Sequence, residues 1–193
     1  DLDGIVEQSK MVLETARKAG RRNAKVTVSA SSFVPKPHTP FQWESQDTME
    51  VLRDKQEYLK KRLRDNRIKF LYHDLKESFL EAVFARGDRR LADLLEWAVG
   101  AGCKFDGWSE FFRFNLWQQG MIQFQIDPHF YANREYGKEE ILPWDHLNAG
   151  VTKDFLKEEY KKSLAGVATP DCRGKCTSCG VCPDLANPVR YHL

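Results

Sequence analysis

Four of the five cysteines lie close together near the end of the chain, and this cluster constrains the chain more than any other feature. The four are Cys172, Cys176, Cys179 and Cys182, with the spacing C-x3-C-x2-C-x2-C. Thiolates are soft ligands, so a loop that carries four of them suits zinc or an iron–sulfur cluster. Pro183 follows the last cysteine directly, as in the bacterial ferredoxin run that ends in C-P. The stretch therefore predicts a metal-binding loop.

Three interpretations of this loop stay open. An iron–sulfur cluster is favoured, because a cubane is larger than one ion and tolerates ligands strung along a single loop. Zinc is the alternative cofactor, although it usually takes ligands from two well-separated C-x2-C pairs. Disulfides or free thiols are the third interpretation, and a reducing compartment disfavours disulfides. Arg173 and Lys175 lie between the ligands, where we expect them to offset the thiolate charge.

The composition is that of a globular chain. Of the 193 residues, 41% are hydrophobic and 30% are charged, which is enough for one ordinary core or two small domains. No apolar run approaches the roughly 20 residues that span a bilayer, so we expect a cytoplasmic chain without a membrane partner. The net charge of +2 is too small to indicate nucleic acid by itself. The start lacks an initiator Met and a basic signal region, which predicts a fragment or a processed chain.

The first part of the chain alternates helix and strand. Helical spacing over residues 3–19 predicts a helix that ends at Gly20. Its predicted buried stripe is Ile5, Ser9, Val12, Leu13 and Ala16. Residues 25–30 and 68–72 alternate and are rich in β-branched or aromatic side chains, which predicts two strands. Ser45 is expected to cap a helix that runs from there to about residue 66, so the order is that of α/β units.

After Asp74 the pattern becomes mainly helical, so the predicted fold class runs from α/β to mainly α. The aromatic-rich segment from Trp108 to Trp117 predicts a helix capped by Asp106 or Ser109, and Thr152 is expected to cap the last helix. The residues expected to face inward include Phe79, Val83, Leu91, Leu94, Leu95, Ala98, Cys103, Trp108, Phe111, Phe112, Phe114, Trp117, Phe155, Leu156, Tyr160 and Leu164.

A proline-rich loop follows the first strand. Prolines at positions 35, 37 and 40 exclude helix over residues 31–43 and predict an extended segment. The segment is interpreted as a rigid connector, as a polyproline ligand for a partner, or as a pocket loop. The third interpretation uses position, because α/β barrels build their sites from loops at the carboxyl ends of strands. The candidate substrate-side residues are Ser32, Lys36, His38, Phe41 and Trp43, with the last three at the mouth of a pocket.

Two histidines and one basic segment complete the candidates. His129 and His146 lie in turn-like segments and are candidate ligands or acid–base groups, although a structural role is commoner for a lone histidine. Between Arg53 and Lys69, eight basic and three acidic residues leave a local charge of +5. A solvated helix face is favoured over an RNA-binding stripe for this segment, and RNA is the alternative partner.

Several stretches resemble one enzyme family. The late strand and loop of radical SAM barrels are similar to VTVSASSFVPKPHTPFQW. One subgroup of that family has an N-terminal cobalamin-binding domain and a cysteine-rich C-terminal extension. That extension is similar to LKESFLEAVFARGDRRLADLLEWAVGAGCKFDGWSEFF, LPWDHLNAGVTKDFLKEEY and TPDCRGKCTSCGVCP. The resemblance covers residues 1–183.

The resemblance implies a domain plan and a function. Residues 1–72 would be the closing β/α units of a partial TIM barrel, residues 73–168 a helical extension, and residues 169–193 a cysteine-rich metal-binding tail. The tail would hold an auxiliary 4Fe-4S cluster of an iron–sulfur oxidoreductase. The partners implied are N-terminal radical SAM and cobalamin-binding domains, which would bind S-adenosylmethionine and cobalamin. Strands 25–30 and 68–72 cannot close a barrel alone, so further strands are expected to cover their edges.

The first three cysteines of the loop have the C-x3-C-x2-C spacing with which radical SAM enzymes bind their catalytic cluster. In that family the triad follows the first barrel strand, whereas here it follows a helix and Cys182 supplies a fourth ligand. We therefore expect an auxiliary cluster here, and no cleavage of S-adenosylmethionine by this chain alone. No catalytic residue is assigned. The alternative function is a zinc-stapled helical module that binds RNA or another partner without catalysis.

Overall fold

The structure is a computed structural model that describes residues 1–182, so positions 183–193 of the predicted tail lie outside the described residues. Two strands, seven α-helices and a short 3-10 turn at Arg89–Leu91 make up the described part. In chain order they are α1 (Leu2–Lys18), β1 (Val26–Ala30), α2 (Met49–Arg62), β2 (Ile68–Tyr72), α3 (Leu75–Ala85), α4 (Ala92–Gly100), α5 (Phe114–Gln123), α6 (Pro128–Ala132) and α7 (Lys153–Leu164).

β1 and β2 form a parallel pair whose register starts with Val26 opposite Ile68. Both predicted strands are thereby confirmed. Parallel neighbours need a crossover connection, and α2 supplies it. α1 and α2 cover one face of the pair, where Val6, Leu59 and Leu63 are buried against the strands. The described part thus contains one β–α–β unit preceded by a helix, and the barrel remains a prediction.

α2 does not start where the sequence predicted. Thr48, rather than Ser45, is the N-cap residue, because its hydroxyl accepts a 3.4 Å hydrogen bond from the Val51 N–H. The backbone before it is held by a tertiary contact: the Gln46 N–H donates to the Ala132 carbonyl at 2.9 Å. This contact keeps the segment around Ser45 irregular and delays the helix.

α2 also ends earlier than predicted, at Arg62 instead of residue 66. The Asp65 carboxylate accepts hydrogen bonds from the Arg67 N–H at 2.9 Å and from its guanidinium at 2.8 Å. These bonds lower the pKa of Asp65 to about 2. They stabilise a turn that stops the helix and leads into β2.

The helices after β2 share a large hydrophobic cluster. Its buried residues are Phe79, Leu80, Ala82, Val83, Leu91, Leu94, Ala98, Cys103, Phe114, Trp117, Met121, Tyr131 and Ala132. The predicted burial of Cys103 is confirmed. α4 and α5 approach closely at Gly120, where a Cβ atom would lie 2.5 Å from Leu94 Cδ1.

Five residues predicted to face inward are exposed instead. They are Val12, Leu95, Trp108, Phe111 and Leu164. In α1, the positions buried by packing are Val6, Ser9 and Leu13, which turns Val12 toward solvent. Helical spacing predicts an apolar stripe, but the neighbouring elements decide where that stripe ends.

The aromatic-rich segment before α5 also differs from the prediction made from the sequence. α5 begins only at Phe114 with Arg113 at its N-cap, so neither Asp106 nor Ser109 caps it. Trp108 and Phe111 pack edge-on or tilted against Phe105, with ring centroids 5.9 Å apart in both pairs, outside the helical cluster. The predicted aromatic core therefore contains Phe114 and Trp117, with Phe112 partly buried against it, but not Trp108 or Phe111.

Candidate metal centre and adjoining cavity

The cysteine loop follows α7. Thr152 caps this helix as predicted, since its hydroxyl accepts a 3.3 Å hydrogen bond from the Phe155 N–H. Gly166, with a φ of +65°, follows the helix in the left-handed conformation that glycine tolerates. A turn at Asp171 comes next, in which the Gly174 N–H donates to the Asp171 carbonyl at 3.0 Å.

The backbone between the later cysteines suits a loop that wraps a ligand. Ser178 and Gly180 have φ values of +56° and +95°, which bend the chain sharply between neighbouring thiols. The Ser178 N–H donates to Cys176 Sγ at 3.4 Å. Hydrogen bonds of this kind offset the charge of a metal-bound thiolate and tune the metal.

The four thiols are unpaired, and Cys179 is the least exposed of them. Among residues 1–182, no three Cys, His, Asp or Glu side chains are grouped so that they could hold a metal ion. The donor chemistry and the backbone fit zinc or an iron–sulfur cluster.

The Arg173 side chain is bound by the carboxylate of Asp171. Its Nε donates to both carboxylate oxygens of Asp171, at 3.1 and 3.0 Å. This side-chain contact lowers the pKa of Asp171. The cation that the sequence places among the thiolates is therefore paired with a carboxylate two residues away.

The loop is attached to the start of α7. The Thr152 N–H donates to the Cys179 carbonyl at 2.9 Å. A Cβ atom on Gly180 would lie 2.6 Å from Thr152 Cγ2 and 3.1 Å from the Gly150 carbonyl oxygen. Glycine at position 180 is thus required both by its positive φ and by this close approach.

The predicted substrate-side residues take different positions. Lys36 pairs with Glu81 of α3, and Ser32 is half-buried. Phe41 packs edge-on against Phe33 and Tyr160, with ring centroids 6.2 and 6.1 Å away. These contacts hold the proline-rich loop between α3 and α7.

Trp43 lies in the core and not at a pocket mouth. It is 0% exposed and belongs to a cluster with Tyr136, Leu142, Trp144 and Leu156. Residues from the 136–144 segment and from α7 cover its ring. The expectation of a surface position is therefore corrected, because elements distant in sequence close over this indole.

His38 does face a cavity. Its φ of +55° turns the loop, and it lines a space of about 210 Å³. The lining residues are His38, Gln42, Asp145, Leu147, Val151, Lys153 and Leu156. Val151 and Lys153 flank Thr152, to which the cysteine loop is attached. The two sites predicted from the sequence, the substrate-side loop and the cysteine loop, therefore meet at one segment.

A partly buried polar cluster beside Trp43 has no signal in the sequence. The Tyr160 hydroxyl donates to the Glu44 carboxylate, and this bond together with burial raises the pKa of Tyr160 to about 12. Lys138 Nζ lies 3.5 Å from the Tyr160 ring centroid and 5.2 Å from that of Trp43. Within the described residues this ammonium has no hydrogen-bond partner, and burial lowers its pKa. Residues 44, 138 and 160 are brought together only by tertiary packing.

The two candidate histidines have different environments. His129 Nδ1 lies 2.7 Å from Asn133 Oδ1, and its ring packs 5.3 Å from that of Phe79, which favours a structural role. His146 lies in an open depression beside Asp88 and Arg90. That carboxylate and guanidinium bond each other at 3.0 Å. Neither histidine lines the cavity beside the cysteine loop.

Four of the eight cations of the basic segment are paired with carboxylates. The pairs are Lys55 with Asp47, Lys60 with Glu57, Arg62 with Asp3, and Arg67 with Asp65. Such exposed pairs contribute little to stability, but they reduce the net positive field of the segment. This arrangement favours a solvated face.

Comparisons with known proteins give one informative similarity. The chain is 27% identical over 92 residues to an uncharacterized protein of Methanocaldococcus jannaschii. The aligned part is 48% of this chain and 20% of the relative, so the chain spans about a fifth of that protein's length. No family model matches the chain. No solved structure matches it either.

Among residues 1–182, no helix combines the length and the apolar composition that crossing a bilayer requires.

Proposed function

We propose that this chain is the C-terminal part of a radical SAM iron–sulfur oxidoreductase of the subgroup with an N-terminal cobalamin-binding domain. The ligands of its auxiliary 4Fe-4S cluster are Cys172, Cys176, Cys179 and Cys182, with zinc as the alternative metal. The loop that carries His38 faces the substrate. S-adenosylmethionine and cobalamin bind to upstream domains of the parent protein, which works in the cytoplasm.

One observation carries this proposal: the Thr152 N–H joins the cysteine loop to the segment that lines the His38 cavity. A cluster that anchors a substrate or exchanges electrons with it must lie close to the substrate site. When bound, the cluster supplies electron transfer or an iron that a substrate group can ligate. The chain's own residues supply the four sulfur donors and the Ser178 N–H that bonds one of them.

The order of the first elements supports the barrel part of the proposal. α1, β1, α2 and β2 alternate, and the strands are parallel. Such units build both open α/β sheets and barrels, and in barrels the loops at the carboxyl ends of strands form the site. The loop that contains His38 leaves the carboxyl end of β1 at Ala30.

Metal analysis tests the proposal. The chain is purified without oxygen, and its iron, sulfide and zinc are quantified together with its visible absorption. We expect about four iron and four sulfide per chain and a broad absorption band. Cys176→Ser is expected to lose the cluster, whereas Cys103→Ala, which removes the thiol buried among the helices, is expected to keep it.

Two results would overturn the iron–sulfur assignment. A colourless protein with one zinc per chain supports the zinc-stapled module instead. Equal metal content in Cys176→Ser and in the unmodified chain places the metal elsewhere.

A further inference from the structure

Two basic segments lead directly into the paired strands. Residues 17–25 contain five basic residues and no acidic residue, and residues 60–69 contain six basic residues and one acidic residue. Each segment therefore carries a net charge of +5, whereas the whole chain carries +2, so the remaining residues carry −8. The positive charge of this chain is concentrated in these two segments.

The fold brings the two segments together at the amino ends of the strands. β1 and β2 are parallel and start in register, with Val26 opposite Ile68. The Val26 N–H donates a 2.8 Å hydrogen bond to the Arg67 carbonyl, which joins the residue after the first segment to the second segment. Cations far apart in the sequence thus share one edge of the β–α–β unit, which we call the basic edge.

Most cations of the basic edge have no ionic partner within residues 1–182. Lys18, Lys60, Arg62 and Arg67 pair with carboxylates. The other seven are exposed and have no such pair; they are Arg17, Arg21, Arg22, Lys25, Lys61, Arg64 and Lys69. Unpaired cations gathered at one surface produce a positive field that attracts polyanions.

Helix stability does not account for most of these unpaired cations. Arg17 and Lys61 lie in the last turns of α1 and α2, where a positive charge compensates the helix dipole. The other five lie beyond the helices, in the turns or in β2. The ion pairs that favour a solvated face are found mainly along α2, whereas these five cations lie outside that helix.

The composition of the basic edge indicates the kind of anion. No large hydrophobic side chain is exposed within residues 17–25 or 60–69, and neither segment contains an aromatic residue. Insertion into a lipid surface uses apolar side chains beside the cations, and the core of a protein interface is rich in aromatic residues and poor in lysine. Binding of single strands uses aromatic side chains on which the bases stack. Contact with the phosphates of a duplex requires the cations alone.

We propose that the basic edge binds double-stranded nucleic acid through its phosphate backbone, without reading the base sequence. Four of the seven unpaired cations are arginines, whose guanidinium groups can bond two phosphate oxygens at once. Duplex RNA and duplex DNA share this phosphodiester chemistry. The basic edge includes no residue of the cysteine loop or of the His38 cavity, so this binding is a function beyond the proposed oxidoreductase and does not require a metal.

Fluorescence anisotropy tests the binding. The full chain is titrated into a labelled RNA duplex of about 16 base pairs, into a DNA duplex of the same sequence and into the single strands. We expect a dissociation constant in the micromolar range for a duplex at about 50 mM salt, unchanged when the base sequence is scrambled. The logarithm of the affinity is expected to fall against the logarithm of the salt concentration with a slope of roughly −3 to −5.

A triple variant removes cations from both segments. Arg21→Gln, Lys61→Gln and Arg64→Gln together are expected to weaken duplex binding by roughly tenfold or more, because three phosphate contacts are lost. The salt slope is expected to become shallower by about one for each lost contact. Circular dichroism checks that the variant is folded.

A matched triple variant is the control. Arg89→Gln, Lys104→Gln and Arg113→Gln remove the same types of cation at exposed positions outside the basic edge, so this variant is expected to bind as the unmodified chain does. Cys176→Ser is expected to retain duplex binding, which separates this test from that of the metal.

The outcomes divide as follows. Binding to either duplex with the expected loss in the first triple variant supports the proposal, and the tighter duplex identifies RNA or DNA as the source of the phosphates. Absence of duplex binding at low salt, an equal loss in both triple variants, or tighter binding of the single strands overturns it. Binding to vesicles that contain phosphatidylserine, without binding to either duplex, overturns it in favour of a lipid surface.

Discussion

The backbone N–H of Thr152 donates a 2.9 Å hydrogen bond to the carbonyl of Cys179, which joins the first turn of α7 to the loop that follows its last turn. A helix of this length is roughly 18 Å long, so the chain after Gly166 must run back along α7 to make the contact. The cysteine loop therefore lies beside the cavity lined by His38 and not at the far end of the helix.

The attachment of the loop predicts the effect of Gly180→Ala. The added Cβ would lie 2.6 Å from Thr152 Cγ2, and the φ of +95° disfavours any side chain, so the loop is expected to detach. Amide hydrogen exchange at Thr152 should rise, and metal retention should fall. Gly174→Ala is the matched control, because its Cβ would meet nothing closer than the Asp171 carbonyl oxygen at 3.6 Å. Similar exchange in both variants would contradict the contact.

A buried guanidinium predicts a large stability effect. Arg86 is 0% exposed and donates to the carbonyl oxygens of Tyr131 at 2.7 Å and Arg134 at 2.6 Å. Arg86→Met leaves these carbonyls without partners and is expected to lower the free energy of unfolding by about 3 kcal/mol. Urea denaturation measures this change. Arg89→Met, at an exposed site, is expected to change it by less than about 0.5 kcal/mol.

The start of α2 predicts that alanine substitutions at Thr48 and Ser45 differ in their cost to stability. Thr48→Ala removes the side chain that accepts the Val51 N–H and is expected to cost about 1 kcal/mol. Ser45→Ala should cost less than half as much, because Ser45 does not cap the helix. Thermal denaturation of the two variants decides the matter. If Ser45→Ala proved the more damaging, the helix would start where the sequence pattern alone suggests.

The Tyr160–Glu44 contact predicts a dependence on alkaline pH. The hydrogen bond to Glu44, with burial, raises the pKa of Tyr160 to about 12, above the ordinary value of about 10. The folded state therefore holds this proton more tightly than the unfolded state does. The contribution is complete below about pH 10 and is lost as the pH rises toward 12.

Tyr160→Phe tests that dependence. The stability difference between the unmodified chain and this variant should be constant from pH 7 to about pH 9.5 and should shrink above it. Urea denaturation across this range measures the difference, and absorbance at 295 nm follows tyrosine ionisation. A difference that stays constant to pH 11.5 would show that the hydroxyl is not held by Glu44.

Local sequence signals predicted the elements that depend on local chemistry. The strands at 26–30 and 68–72 follow from alternating side chains, and the cap at Thr152 follows from its hydroxyl before a helical pattern. The same signals were wrong where packing decides. Ser45 and Thr48 are both competent caps, and the Gln46 contact with Ala132 selected the second.

At the candidate site, too, the sequence predicted what depends on local chemistry and failed where packing decides. The spacing of the four cysteines indicated a metal loop from the sequence alone, because thiol chemistry does not depend on the rest of the fold. Trp43 was misplaced, because its burial depends on residues about 100 positions later in the chain. The Tyr160–Glu44 contact was missed, since its partners lie 116 positions apart in the chain.

By itself, the sequence determined which atoms could bind a metal, where the chain alternates helix and strand, and which residues could cap a helix. These properties depend on side-chain type and on neighbours a few residues away. Tertiary structure decided that the cysteine loop returns to Thr152, that Trp43 is enclosed, and that His38 and Gln42 line one cavity with Lys153. These outcomes depend on contacts between residues far apart in the chain, and no local pattern specifies which of those contacts form.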